Sequence, residues 1–255
     1  MEKIAARLRE LSLPDGDGAV HLGYKMCIDR RLVTLKITGK TNEHRSGVVD
    51  KQHAKFRTSS AMVISIEHAD TGETFAEATS LYDRSFVYTL GKEITEVKYD
   101  VTPPDIVCGQ GIHYFLTRET AFYHDLPYNY SGAALEWRDD GTLASRCTFV
   151  NGKHHGLQEW LDEKCVLLAR YTCIDGDLDG ERETWYPNGT RKSMSTYKIG
   201  HRHGSFEHWY ENGKPWMKGT YDTDILEGLF EEWTVDGNVH TQRVYKRGQE
   251  VPNVV

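Results

Sequence analysis

A cysteine and a histidine, Cys108 and His113, flank the turn Gly109-Gln110-Gly111. A thiol attacks as its thiolate, which a nearby base helps to form and which a third group usually keeps oriented. The tight turn could bring the two side chains into contact, and they are the only pair that suggests an enzyme. Their spacing follows no general catalytic signature. The plainer account is preferred, with Cys108 a small buried hydrophobe and His113 a satisfied strand residue. No catalytic residue is assigned.

Four histidines, His154, His155, His201 and His203, lie just before the repeat glycines Gly156 and Gly204. A metal site needs convergent ligands and an oriented outer shell. The equivalent positions elsewhere are Leu178 and Asp179, then Leu226 and Glu227, which breaks any ladder. These histidines read as polar hairpin tips, and no metal or cofactor is expected.

The candidate binding residues are aromatic: Trp185, Tyr186, Trp209, Tyr210, Trp233, Tyr197 and Tyr221. Neighbouring aromatics on a strand point to opposite faces, so a Trp-Tyr pair either buries both rings or shows one to a partner. The tryptophan row is expected to pack, and the tyrosine row either packs as well or is exposed as a binding surface. Glu183, Glu207 and Glu231 are expected to line an acidic strip that serves solubility.

A repeat positions all of these. From Gly132, steps of 24 residues land on Gly156, Gly180, Gly204 and Gly228. Tryptophan follows in phase at Trp137, Trp185, Trp209 and Trp233, then Asp140-Gly141, Asn188-Gly189, Asn212-Gly213 and Asp236-Gly237. Phe149, Tyr197, Tyr221 and Tyr245 come next, and then Gly152, Gly176, Gly200 and Gly248. The second unit deviates, with Trp160 one position early and Cys165 in place of the inner glycine. Asn-Gly and Asp-Gly between apolar-alternating runs signal type I′ hairpins. Each unit is therefore two short strands and two turns, and five units make an antiparallel meander.

The segments Asn151–Gly156, Ile199–Gly204 and Trp209–Gly213 resemble MORN repeats. The similarity is greater to the longer second variant found in bacterial antitoxin-like proteins and large DNA viruses. The resemblance implies a β-hairpin array acting as a protein-interaction or lipid-associated scaffold, without catalytic residues of its own.

Before the repeats, Met1–Ser12 reads as a short amphipathic helix stopped by Pro14. Strands are expected at His21–Ile28, Leu32–Ile37, Ala61–Glu67, Thr74–Thr79, Phe86–Leu90, Ile94–Tyr99 and Ile112–Leu116. Lys40–Lys55 reads as a polar surface loop, and Thr117 should cap a helix with Glu119 in its first turn. The series Gly23-Tyr24-Lys25, Leu32–Ile37, Lys55-Phe56-Arg57, Phe86-Val87-Tyr88 and Cys108…Gly111-Ile112-His113-Tyr114-Phe115 is similar to an uncharacterised domain. That domain recurs in giant and other large DNA viruses, often ahead of repeats. The similarity runs from about Val20 to Asp125 and implies origin more than chemistry.

All six tryptophans lie at or after Trp137, which argues for two domains. The expected division is a helical arm and linker at 1–19, an α+β domain at 20–128 and the array at 129–255, giving a mainly β protein. A net charge of −7 offers no electrostatic footprint for nucleic acid and argues against adsorption to anionic membranes. Five cysteines without a C-x-x-C pair fit a reduced compartment. With no signal peptide and no long apolar run, a cytoplasmic protein is expected. The expected partner is a protein bound by the array. The terminal hairpin Val244–Val255 could pair with a second copy to form a homodimer.

Overall fold

The computed structural model describes residues 20–96, 99 and 109–252. The expected helix at Met1–Ser12, the end of the strand expected at Ile94–Tyr99, and Cys108 lie outside the described residues. The protein is mainly β and divides into two compact units. The first runs up to Leu126 and includes Leu135–Leu143; the second comprises Pro127–Ala134 and Ala144–Val255.

In the first unit, β1 (Leu22–Met26), β2 (Arg31–Ile37), β3 (Lys55–Thr58) and β4 (Ser60–His68) are followed by β5 (Glu77–Thr79), β6 (Val87–Thr89), β7 (Glu93–Thr95) and β8 (Ile112–Phe115). Six of them form an antiparallel sheet in the order β3-β8-β1-β2-β4-β7, while β5 and β6 make a separate hairpin. Strand β2 explains the sheet's stability. Its aliphatic run is buried on both faces, with Val33, Leu35 and Ile37 in one cluster and Leu32 in the other. Each such side chain contributes about 1.5–3 kcal/mol by leaving water.

The second cluster is closed by α1 (Arg118–His124), whose Ala121 and Phe122 pack with Tyr24, Met26, Leu32 and Phe115. The hydroxyl of Thr117 accepts the Thr120 amide at 3.2 Å, so the helix starts at its expected cap. The Lys40–Lys55 segment departs from the simple surface loop. Asn42, Arg45 and Ala54 are buried, and the side-chain Oδ1 of Asn42 accepts the Arg57 backbone amide at 2.8 Å. Asn42 turns inward because it satisfies a backbone group of β3, a strand that the polar flank conceals in the sequence, and Arg45 because it donates to the Asp139 carbonyl.

Strand β9 (Gly132–Trp137) and strands β10 (Leu143–Val150), β11 (Lys153–His154), β12 (Gly156–Leu161), β13 (Leu167–Ile174) and β14 (Asp177–Trp185) begin the repeats. They continue through β15 (Arg191–Lys198), β16 (His201–Trp209), β17 (Pro215–Asp222) and β18 (Ile225–Leu226). The run ends with β19 (Gly228–Trp233), β20 (Val239–Lys246) and β21 (Gln249–Val251). All belong to one antiparallel meander.

The two turns of a unit differ, and the type I′ geometry suggested for Asn-Gly and Asp-Gly is found at only one of them. At Asn188-Gly189, Asn212-Gly213 and Asp236-Gly237, positive φ is confined to the glycine. The Gly213 amide donates to the Tyr210 carbonyl at 2.9 Å and the Tyr210 amide to the Lys214 carbonyl at 2.8 Å. This is a three-residue loop, a type I turn closed by a left-handed glycine. The two-residue type I′ turns lie at the opposite margin. There both central residues have positive φ: Asn151-Gly152, Asp175-Gly176, Ile199-Gly200, Thr223-Asp224 and Arg247-Gly248.

Ile199 is a β-branched residue at φ 50° with 66% of its surface exposed. It therefore carries strain without packing in return. Ile199→Asn is expected to stabilise the protein by about 1 kcal/mol. The measurement is a urea midpoint that rises at unchanged slope; an unchanged or lower midpoint would contradict the turn assignment.

Candidate functional site

The register of the meander sorts the repeat side chains into two faces and two margins. One row crosses the strands as Arg146, Glu159, Arg170 and Glu183, directly paired strand to strand. After Met194 it continues as Glu207, Lys218, Glu231 and Gln242. Of the glutamates expected to form an acidic strip, Glu207 and Glu231 flank Lys218, while Glu183 and Glu207 flank Met194. Arg170 holds Glu159 at 2.8 Å, Arg191 holds Glu183 at 2.8 Å and Lys218 holds Glu231 at 2.8 Å. The carboxylate of Glu231 also accepts the Gln242 amide at 2.7 Å. Bonds from Lys218 and then Gln242 hold it below the usual carboxylate pKa.

The same cations cover the tryptophans. Arg170 lies 6.0 Å from the Trp185 ring centre, Arg191 5.7 Å from Trp209 and Lys218 5.4 Å from Trp233. Each partly buried tryptophan thus sits beside a glutamate–cation pair on one face. Two strands separate successive sites, a spacing of about 10 Å. Arg146, Arg170 and Lys218 share one phase of the repeat, which Met194 interrupts, while Arg191, the cation beside Trp209, lies outside it.

Tyr197 and Tyr221 lie on the other face, each directly across from a unit's opening glycine, Gly180 or Gly204. Tyr221 packs 4.8 Å from Phe206, which is 4% exposed and has Phe230 6.4 Å away. Arg202 covers Tyr221 at 4.1 Å.

Tyr186 and Tyr210 belong to neither face. Strands β14 and β16 end at the preceding tryptophans, and these tyrosines begin the loops. The Tyr186 hydroxyl donates to the Trp209 carbonyl at 3.0 Å, and that of Tyr210 to the Trp233 carbonyl at 2.8 Å. Asn188 and Asn212 repeat the device, donating to the carbonyls of Glu211 and Val235. Trp137 belongs to the first unit, where the His53 ring stacks on it at 4.8 Å.

The repeat histidines face local partners. His154 meets Gln158 at 2.6 Å, His201 meets Asp224 at 2.8 Å, and His203 and His155 pair with Asp222 and Asp175. Among the described residues no group of three histidine, cysteine or acidic side chains could hold a metal ion. In the first unit, His113 lines a cavity of about 320 Å³ together with Lys25, Lys55, Tyr82, Phe86 and Tyr88.

Residues 178–198 and 202–223 match the MORN repeat variant. The array carries MORN repeats. Residues 10–121 match a family of unknown function (DUF5758). A comparison with curated proteins finds no match.

Two expectations follow for the MORN units. Tyr210→Phe removes one inter-unit hydrogen bond and should cost about 0.5–1.5 kcal/mol in urea unfolding; an unchanged midpoint would deny the staple. Asp224 takes the left-handed turn position that glycine holds in other units. Bonds from His201 and then Arg202 pull its pKa from 3.8 to about 2. Its depressed pKa makes its contribution complete above pH 3.8 and lost as pH falls toward about 2. The thermal midpoint of Asp224→Asn should therefore lie below that of the parent at pH 5, with the difference closing toward pH 2. A difference that persists unchanged at the lower pH would remove the linkage.

Proposed function

We propose that the protein is a non-catalytic scaffold whose MORN array, residues 129–255, binds a protein partner. The observation that carries this reading is the row of Trp185, Trp209 and Trp233, each beside a glutamate and beneath a cation. Such a row offers an apolar ring, a donor and an acceptor at one regular interval. Tryptophan and arginine are the side chains that most often dominate protein interfaces. The alternation of charge favours a partner with complementary polar groups over an anionic membrane, as does the net charge of −7.

Tyr197 and Tyr221 on the opposite face form a second candidate surface, while Tyr186 and Tyr210 support the array that presents both. Strand β21 has one neighbour, β20, among the described strands, which leaves an edge on which a second copy could pair. The resemblance of both halves to proteins of large DNA viruses supports a viral source. The place of action would be the host cytoplasm or the particle.

Affinity capture from the native host with the full chain tests the reading. Paired Trp185→Ala and Trp209→Ala substitutions are expected to abolish capture of the specific partner, while Cys108→Ala and His113→Ala leave it intact. Retention by the tryptophan variant with loss in Tyr197→Ala/Tyr221→Ala would move the surface to the other face. Capture that depends on Cys108 and His113 would replace the scaffold with an activity of the first unit.

A further inference from the structure

The first unit contains a cavity of about 320 Å³ whose floor is apolar, with Tyr88 3% and Ile112 5% exposed. Phe86 lies beside Tyr88, ring centres 5.0 Å apart, and the exposed Tyr82 stands at the rim. Two lysines from different strands, Lys25 of β1 and Lys55 of β3, open into it. Each ammonium is 5.8 Å from the centre of the Tyr82 ring. Lys25 is 9% exposed, and among the described residues neither lysine forms an ion pair.

A buried ammonium without a counter-ion is costly, and a second one nearby adds repulsion. The groups that act on Lys25 are Lys55, the Cys27 thiol and the Asp125 carboxylate. That carboxylate already accepts the Tyr82 hydroxyl at 2.9 Å. Burial, then Lys55, lowers the Lys25 pKa against the pull of Cys27 and Asp125. Two further carboxylates line the cavity. Asp83 is exposed and accepts the Ser85 amide at 2.9 Å and its hydroxyl at 2.6 Å, which leaves it drawn away toward its own turn. Glu96 at the cavity wall and Asp125 behind Tyr82, both half-buried, are the negative charges set against the two ammonium groups, and neither forms a salt bridge with them.

We propose that this cavity binds a small planar anion, a ring bearing a carboxylate or a phosphate, with its charged group between Lys25 and Lys55. The ring occupies the apolar floor formed by Phe86, Tyr88 and Ile112. The anion supplies the direct ion-pair partner that neither lysine has among the described residues, and the cavity volume lies at the lower end of the range for small-molecule sites. The site stands apart from the array's role and would give the first unit a ligand of its own.

Calorimetric titration of the full chain with benzoate, and separately with phenyl phosphate, tests this. At least one probe is expected to bind saturably, and preference between them identifies the charged group. Lys25→Met and Lys55→Met should each weaken that binding by about tenfold or more, since tenfold is only about 1.4 kcal/mol and charged contacts exceed it. Circular dichroism confirms folding, and if Lys25→Met misfolds, the less buried Lys55→Met decides alone. The proposal is overturned if neither probe saturates by about 20 mM. It is also overturned if binding is equal in the parent and the folded lysine variants.

Discussion

Every two-residue turn of the array donates a backbone amide to a carbonyl of the preceding unit, and the rest of the meander depends on this contact. Gly152 reaches Tyr130, Gly176 reaches His154, Gly200 reaches Leu178, Asp224 reaches Arg202 and Gly248 reaches Leu226, all between 2.8 and 3.0 Å. A sheet that is its own only layer cannot bury a thick core. Its units must be aligned by hydrogen bonds and by side chains lying along the strands. At the opposite margin Tyr186, Asn188, Tyr210 and Asn212 perform the same alignment through side chains. With both margins pinned, each unit repeats its neighbour's register, and residues in phase in sequence become rows in space.

Those rows explain why the two faces differ. On one, glutamate, cation and tryptophan satisfy one another while remaining partly solvated. Exposed ion pairs and cation–π contacts contribute only about 0.5–1 kcal/mol each. Their regularity matters more for recognition than their sum does for stability. On the other face Phe206 is buried by rings of its own sheet, above Gly219, where an added Cβ would come within 2.9 Å of the Phe206 ring. A smooth apolar seam there takes the structural load and leaves the charged face available.

The first unit solves a different problem. Its sheet has apolar clusters on both sides, one closed by a seven-residue helix. The cost of that compactness is a buried lysine at the wall of a cavity, whereas the buried Glu231 of the array is paired with Lys218.

The sequence alone determined the mainly β class, the repeat and its period, the helix cap at Thr117 and most strands of the first unit. Each is set by local chemistry: side-chain alternation, glycine at positive φ, a hydroxyl next to free helix amides. The tertiary structure alone decided three other things. Which turns are type I′ was decided by loop closure and strand twist, so that even Ile199 adopts the left-handed region. Within the acidic strip Glu183 and Glu231 are neutralised because their partners Arg191 and Lys218 lie on neighbouring strands, and register is a non-local property. The lysine pair became a site because β1 and β3 meet through β8, joining residues that no sequence pattern connects.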